Sequence, residues 1–201
     1  MGIEQNKPQM IPPRYYLILL AALVVERIFE LYLSKRNASR AFQRGASEAG
    51  QNHYKVMVVL HSAFIASCAL EAVFFPRAIA PAIGWTALGA EVLAQALRYW
   101  AIATLGERWN TRIIVTHSAA PVTGGPYRLV RHPNYVAVAI EIAAVPLIGG
   151  AVVTAIIFSI ANAFLLAVRI RAEERALGTS WAAAFDSRPR FMPALHRGKQ
   201  R

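Results

Sequence analysis

YVAVAIEIAAVPLIGGAVVTAIIFSIANAFLLAV, residues 135–168, consists of two apolar runs with a single charged residue, Glu141, parted by two adjacent glycines. A helix needs about 20 predominantly apolar residues to cross the hydrocarbon of a bilayer. Each run is therefore a candidate span, the first of them short unless its helix begins in the interfacial layer. Gly149-Gly150 leaves only a tight turn, which predicts a closely packed antiparallel pair. Outward from this hairpin, apolar stretches at 15–33, 54–75 and 78–104 bring the expected count to five. The composition agrees, since 56% of the 201 residues are hydrophobic and 16% charged, an apolar excess over an ordinary soluble domain. The predicted fold class is all-α, an integral membrane bundle of about five transmembrane helices.

The formal net charge is +11, but its placement argues against nucleic acid, and no zinc-finger, recognition-helix or RNA-binding signature accompanies it. Lys35, Arg36, Arg40 and Arg44 follow the first run, and Arg108, Arg112, Arg128 and Arg131 follow the third. The tail adds Arg169, Arg171, Arg175, Arg188, Arg190, Arg197, Lys199 and Arg201, whereas the opposite side receives only Lys7, Arg14 and Arg77. Basic loops stay cytoplasmic, so the N-terminus is expected outside and the C-terminus in the cytoplasm, with anionic membrane lipids as partners of the basic face. A bacterial inner membrane fits this pattern. The opening MGIEQNKPQMIPPR lacks the apolar core and cleavage site of a secretory signal, so the first run is expected to remain. With one cysteine, Cys68, no intrachain disulfide can form. Neither repeats nor a second domain interrupt the chain, which reads as one unit over 1–201, with a three-span part at 15–104 and a C-terminal part at 105–195.

Ionisable groups inside spans are costly and need a partner or a task. Glu26 and Glu30 share a helix face in the first run beside Arg27, and Glu91 and Arg98 lie seven apart in the third. A cross-bundle ion network and a functional cluster are both open readings. Glu141 continues a stripe from Asn134 through Ala137 and Val138, which points to a substrate cavity, the alternative being an interhelical hydrogen bond. His53, His61, His117 and His196 have no metal-ligand spacing, so no metal is expected. Tyr15, Tyr16, Tyr54, Trp85, Tyr99, Trp100 and Trp109, near span ends, read as interfacial anchors.

Immediately before the hairpin lies GGPYRLVRHPNY, residues 124–135. Its glycines and prolines predict an ordered loop leading into a helix. His132, ahead of Pro133, falls where free backbone N–H groups of that helix also point. With Tyr127 and Tyr135 the loop could hold a polar aromatic ligand such as a nucleoside. After the hairpin comes RIRAEERAL, residues 169–177, in which Arg169 and Glu173 share a helical face beside Glu174. If the hairpin closes, the two polar clusters return to one membrane face.

GPYRLVRHPNY followed across one hairpin by RxRxEExxL resembles the isoprenylcysteine carboxyl methyltransferase family. The resemblance covers roughly residues 97–195, and the ordered pair of motifs is specific. LRYWAIATLGERWNTRIIV and HPNYVAVAIE make it similar to a smaller bacterial branch that looks like O-methyltransferases for long-chain alkylpyrones or alkylresorcinols. The resemblance implies S-adenosylmethionine bound between the cytoplasmic loop and the post-hairpin helix, with Val122, Tyr127, His132, Pro133, Asn134, Tyr135 and Glu173 matching cofactor-contacting positions. Arg169 matches the family's substrate-side arginine. Around residues 114–120 the chain departs from the family pattern. The expected acceptor is a lipophilic small molecule or a prenylated substrate, methylated on a carboxylate, which needs no base, or on a hydroxyl, for which Glu141 or Glu173 could serve. Phospholipid N-methylation and a non-catalytic scaffold or transporter-like bundle are the competing readings.

Overall fold

The computed structural model describes residues 11–75, 77–116 and 119–191; Lys7, His117, His196, Arg197, Lys199 and Arg201 lie outside the described residues. Five helices carry the architecture: α1 Pro13–Gln43, α2 Gln51–Phe74, α3 Pro81–Leu105, α4 Pro133–Ile148 and α5 Val152–Ala184. Prolines occupy the first helical position of α1, α3 and α4, where the missing N–H has no intrahelical partner to lose. Two three-residue strands, β1 Ser47–Ala49 and β2 Ile113–Val115, pair antiparallel with Glu48 opposite Ile114. That pairing ties the α1–α2 connection to the segment between α3 and α4.

Among the described residues the fold is all-α apart from this short ladder. By length and composition α2 and α5 can cross a membrane, and α4 is a shorter apolar helix. Large apolar side chains face outward on four helices, among them Phe29, Val59, Leu93 and Phe164, the arrangement that hydrocarbon rather than water stabilises.

One length differs from the sequence expectation. α1 continues ten residues past the predicted end at 33, so that Lys35, Arg36 and Arg40 stand on helix rather than loop. α5 carries the RIRAEERAL cluster on helix, as its spacing predicts, and runs to Ala184, broken at Gly178, whose φ of 76° is left-handed. Runs of charge end a hydrophobic window without ending a helix, because lysine, arginine and glutamate are good helix formers. Two aromatic residues expected at the interface are also corrected: Tyr16 and Trp109 are 1% and 2% exposed. Tyr16 packs into a core with Leu20, Phe64, Cys68, Ile142 and Val145.

The hairpin turn explains that burial. A Cβ on Gly149 would lie 2.4 Å from the Tyr16 ring, and one on Gly150, at φ 72°, would lie 2.4 Å from the Arg77 carbonyl oxygen. Only glycines allow the turn to seat against α1 and the α2–α3 connection. Beside it Glu71 of α2 accepts hydrogen bonds from the N–H groups of Val153 and Thr154, at 3.1 and 2.8 Å, and from the Thr154 hydroxyl at 2.7 Å. It also pairs with Arg77. α5 has no side-chain cap of its own, so a carboxylate from another helix fills that role at its positive end. Glu71→Ala is expected to lower stability by about 2–3 kcal/mol, the cost of removing charged hydrogen bonds from a buried helix terminus. A shifted midpoint of thermal unfolding in detergent micelles measures it.

Candidate functional site

The 124–135 segment folds as a single 3-10 turn, Gly125–Arg128, followed by a short link into α4. Arg131 and His132 are held there by the chain's far end: their N–H groups donate to the carbonyls of Pro189 and Arg190, and the Arg131 side chain donates to those of Arg188 and Asp186. His132 is 4% exposed. Its Nε2 lies 3.2 Å from Glu174 Oε1, and Arg190 grips the same carboxylate at 3.0 and 2.6 Å. Burial opposes ionisation of Glu174, but the hydrogen bonds and charge of Arg190, with the bond from His132, outweigh it and hold the carboxyl below its usual range. Tyr135 donates its hydroxyl to Glu173 Oε2 at 2.5 Å. Both halves of the predicted pair of clusters thus meet through direct side-chain bonds.

Aromatic rings line up behind these contacts. His132 lies 5.5 Å from both Tyr135 and Trp181, and Trp181 stacks on Phe185 at 4.7 Å. The break at Gly178 permits this, because it redirects the last turns of α5 to bring Trp181 against Tyr127 in a small second core. Burial, and after it the charge of Glu173, raises the Tyr127 phenol above its ordinary range. The residue stays neutral and can donate a hydrogen bond.

A cavity of about 550 Å³ opens onto this cluster. Val122, Tyr127, His132, Asn134, Tyr135, Arg169, Glu173 and Glu141 all line it. Pro133 does not; it is fully buried and starts α4. Arg169 is 2% exposed and donates to the Thr111 carbonyl at 2.9 Å, while its Nε and Nη1 have no partner among the described residues. No ion pair joins it to Glu173, four residues on. Asn134 Oδ1 is likewise buried without a partner. The divergent 114–120 stretch begins inside β2, whose pairing with β1 sets the cavity wall that includes Thr111, Ile113 and Val115.

Deeper in the bundle the charges of three helices join. Arg98 of α3 pairs with Glu141 of α4 and, at 3.8 Å, with Glu30 of α1; Arg27 of α1 pairs with Glu30 and, at 3.1 Å, with Glu141. Glu91 does not join them and accepts from Gln95 at 2.8 Å. Glu141 lines the cavity and is engaged by two guanidinium groups, so its side chain is satisfied by interhelical contacts. Sequence reasoning missed Trp181, His61 and Asn162 as cavity residues. Trp181 lay beyond both motifs, and His61 and Asn162 are isolated polar residues in apolar helices whose common destination no local spacing reveals.

Residues 87–179 match the family described as isoprenylcysteine carboxyl methyltransferase (ICMT). Over 161 residues the chain is 40% identical to the uncharacterized protein YpbQ of Bacillus subtilis, spanning 80% of this chain and 95% of that one. An uncharacterized protein of Haemophilus influenzae is 26% identical, also over 161 residues, covering 80% of this chain and 93% of its own.

Proposed function

Because the chain belongs to the isoprenylcysteine carboxyl methyltransferase family, and is by that membership a membrane methyltransferase, we propose that it transfers a methyl group from S-adenosylmethionine to an oxygen of a lipid-like acceptor. The observation that carries the reading is the meeting of the 124–135 loop with the post-hairpin part of α5 across one cavity, through His132–Glu174 and Tyr135–Glu173. α1 to α5 are read as five spans, with the N-terminus outside and the cavity mouth at the cytoplasmic face. This topology rests on the distribution of lysine and arginine.

The residues present fit the cofactor. His132, Tyr135 and Trp181 offer ring faces for a purine, and Glu173 offers a carboxylate for ribose hydroxyls or an ammonium group. The unpaired Asn134 Oδ1 and the free N–H groups of Arg169 supply polar partners that a dry cavity otherwise leaves costly. Val122 and Tyr127 close the same wall. When bound, the cofactor supplies a methyl group on a positively charged sulfur, already activated for displacement.

The chain's own task is then positioning and exclusion of water. Arg169, fixed by the Thr111 carbonyl, presents the N–H groups of Nε and Nη1, which orient an acceptor oxygen and stabilise its negative charge. Glu141 is committed to Arg27 and Arg98, so it holds the cavity in shape and steers polarity rather than taking a proton. Water-soluble and lipid-soluble reactants meet at this boundary, the first from the cytoplasm and the second sideways from the bilayer.

Calorimetry on protein in lipid nanodiscs tests the cofactor. The unaltered protein is expected to bind S-adenosylmethionine, and Glu173→Gln, which removes the charge Tyr135 bonds to, is expected to weaken binding by about tenfold. No heat of binding for the parent protein would overturn the reading. Labelled cofactor fed to membranes then reports whether the methyl group enters an ester, an aryl ether or an amine, which separates O-methylation from phospholipid N-methylation.

A further inference from the structure

Beyond its apolar run α1 carries two deeply buried polar residues, Ser34 and Asn37, which are 3% and 1% exposed. Side chains so placed are ordinarily held by partners, and the partners of both lie in the segment between α3 and β2. Asn37 Nδ2 donates to the carbonyls of Gly106 and Trp109, at 3.2 and 2.9 Å. Ser34 uses the full capacity of a hydroxyl, one donor and two lone pairs. Its oxygen lies 3.1 Å from Asn110 Oδ1 and 2.9 Å from the Thr111 hydroxyl, and it accepts from the Thr111 N–H at 3.0 Å.

These bonds hold Thr111 on its N-terminal side. Two residues further on the ladder holds the chain again, where Ile113 lies opposite Ala49. Thr111 is thus pinned from both directions, and its carbonyl is the one that receives Arg169 Nη2 at 2.9 Å. The Tyr135 hydroxyl, also near this guanidinium, is committed to Glu173. A guanidinium is planar and turns as one body, so the carbonyl that holds Nη2 also sets where the unpaired Nε and Nη1 of Arg169 point.

We infer that Ser34, with Asn37 one turn further along α1, is a positioning residue that aims the Arg169 N–H groups at an anionic oxygen in the cavity, through Thr111. Arg169 and Thr111 line that cavity, whereas Ser34 and Asn37 do not. Their influence on a reactant therefore passes through the loop. The family match does not carry this role, because it covers residues 87–179 and α1 ends at Gln43. The inference rests on the task proposed above for Arg169 and adds to it a helix that touches neither reactant. Small displacements of an orienting group are costly, about 100-fold for 1 Å, which is why a buried serine at one remove matters.

Two probes of nearly equal shape isolate the aim of Arg169: para-dodecylbenzoate, ionised at neutral pH, and the neutral para-dodecylbenzamide. Their affinities for protein in nanodiscs are measured with and without S-adenosylhomocysteine, and the ratio of the two is compared between variants, so that partition into the bilayer cancels. The parent is expected to favour the benzoate at least about tenfold, as a charged hydrogen bond allows, and Arg169→Gln to abolish the preference. Ser34→Ala is expected to bring the ratio within about threefold while leaving the affinity for S-adenosylhomocysteine within about twofold of the parent's. Added to Arg169→Gln, it is expected to change the ratio no further. A serine that merely stabilised the fold would weaken both probes and S-adenosylhomocysteine together and leave the ratio alone.

A cooperative thermal unfolding transition shows that a variant is folded; where Ser34→Ala lacks one, Ser34→Cys, which keeps the shape and weakens the bonds, carries the same comparison. An unchanged ratio in the folded variant, or a further fall when Ser34→Ala is added to Arg169→Gln, overturns the inference and leaves the role of Arg169 intact. A parent without the preference, or one whose preference survives Arg169→Gln, removes that role and the inference with it. Failure of the parent to bind S-adenosylhomocysteine, with the preference present and lost in Ser34→Ala, sinks the cofactor reading and leaves the inference standing.

Discussion

Arg98→Ala is expected to cost the folded protein about 3–5 kcal/mol, and Arg98→Met combined with Glu141→Leu to restore most of it. Arg27, Glu30, Arg98 and Glu141 form a set of two positive and two negative groups, each contacting both members of opposite sign, with Glu26 at its edge 3.6 Å from Arg27. Removing Arg98 alone leaves Glu141 and Glu30, 5% and 4% exposed, competing with Glu26 for Arg27. Removing Arg98 with Glu141 leaves Arg27 shared between Glu30 and Glu26, the same single excess of negative charge as in the parent, and fills the gap with apolar volume. Reversible unfolding in mixed micelles would give both numbers. A single variant as stable as the parent would mean that the four charges are held independently by water in the cavity rather than by one another.

His132→Ala is expected to weaken cofactor binding by on the order of 100-fold, the sum of a lost hydrogen bond to a charged group and a lost aromatic wall. The imidazole is the junction of the site: it bonds Glu174, and its ring lies against Tyr135 on one side and Trp181 on the other. Its backbone begins α4 and is tied to Arg190. His132→Gln keeps a donor for Glu174 but no ring, and is expected to recover only part of the loss. Calorimetry with S-adenosylhomocysteine reads both variants, and circular dichroism establishes that the helices remain. Full affinity in folded His132→Ala would remove the histidine from the binding machinery.

Much of the site was legible because its chemistry is local. GPYRLVRHPNY and RxRxEExxL carry family-specific residues at fixed spacing on either side of a hairpin, and a Gly-Gly turn between two apolar runs leaves an antiparallel return as the short path. The meeting of His132 with Glu174 and of Tyr135 with Glu173 follows from that return. Arg169 and Glu173 show what local spacing leaves open. Spacing puts them four residues apart on one face, but only packing sends Arg169 to the Thr111 carbonyl and Glu173 to the Tyr135 hydroxyl, because partners from other elements arrive at each.

Hydrophobic runs, their lengths, the placement of arginine and the paired motifs are properties of neighbouring residues, and these the chain alone determined: helices, an apolar exterior, a hairpin and a family. Which face of α1 meets the Gly149-Gly150 turn, which buried charges close on one another, and which lone polar residues of α2 and α5 share a cavity depend on contacts between residues far apart in sequence. Helical periodicity places a side chain on a face but does not say which helix packs there, so Tyr16 at the turn, the buried charge cluster and the cavity shared by His61 and Asn162 were decided only by tertiary packing.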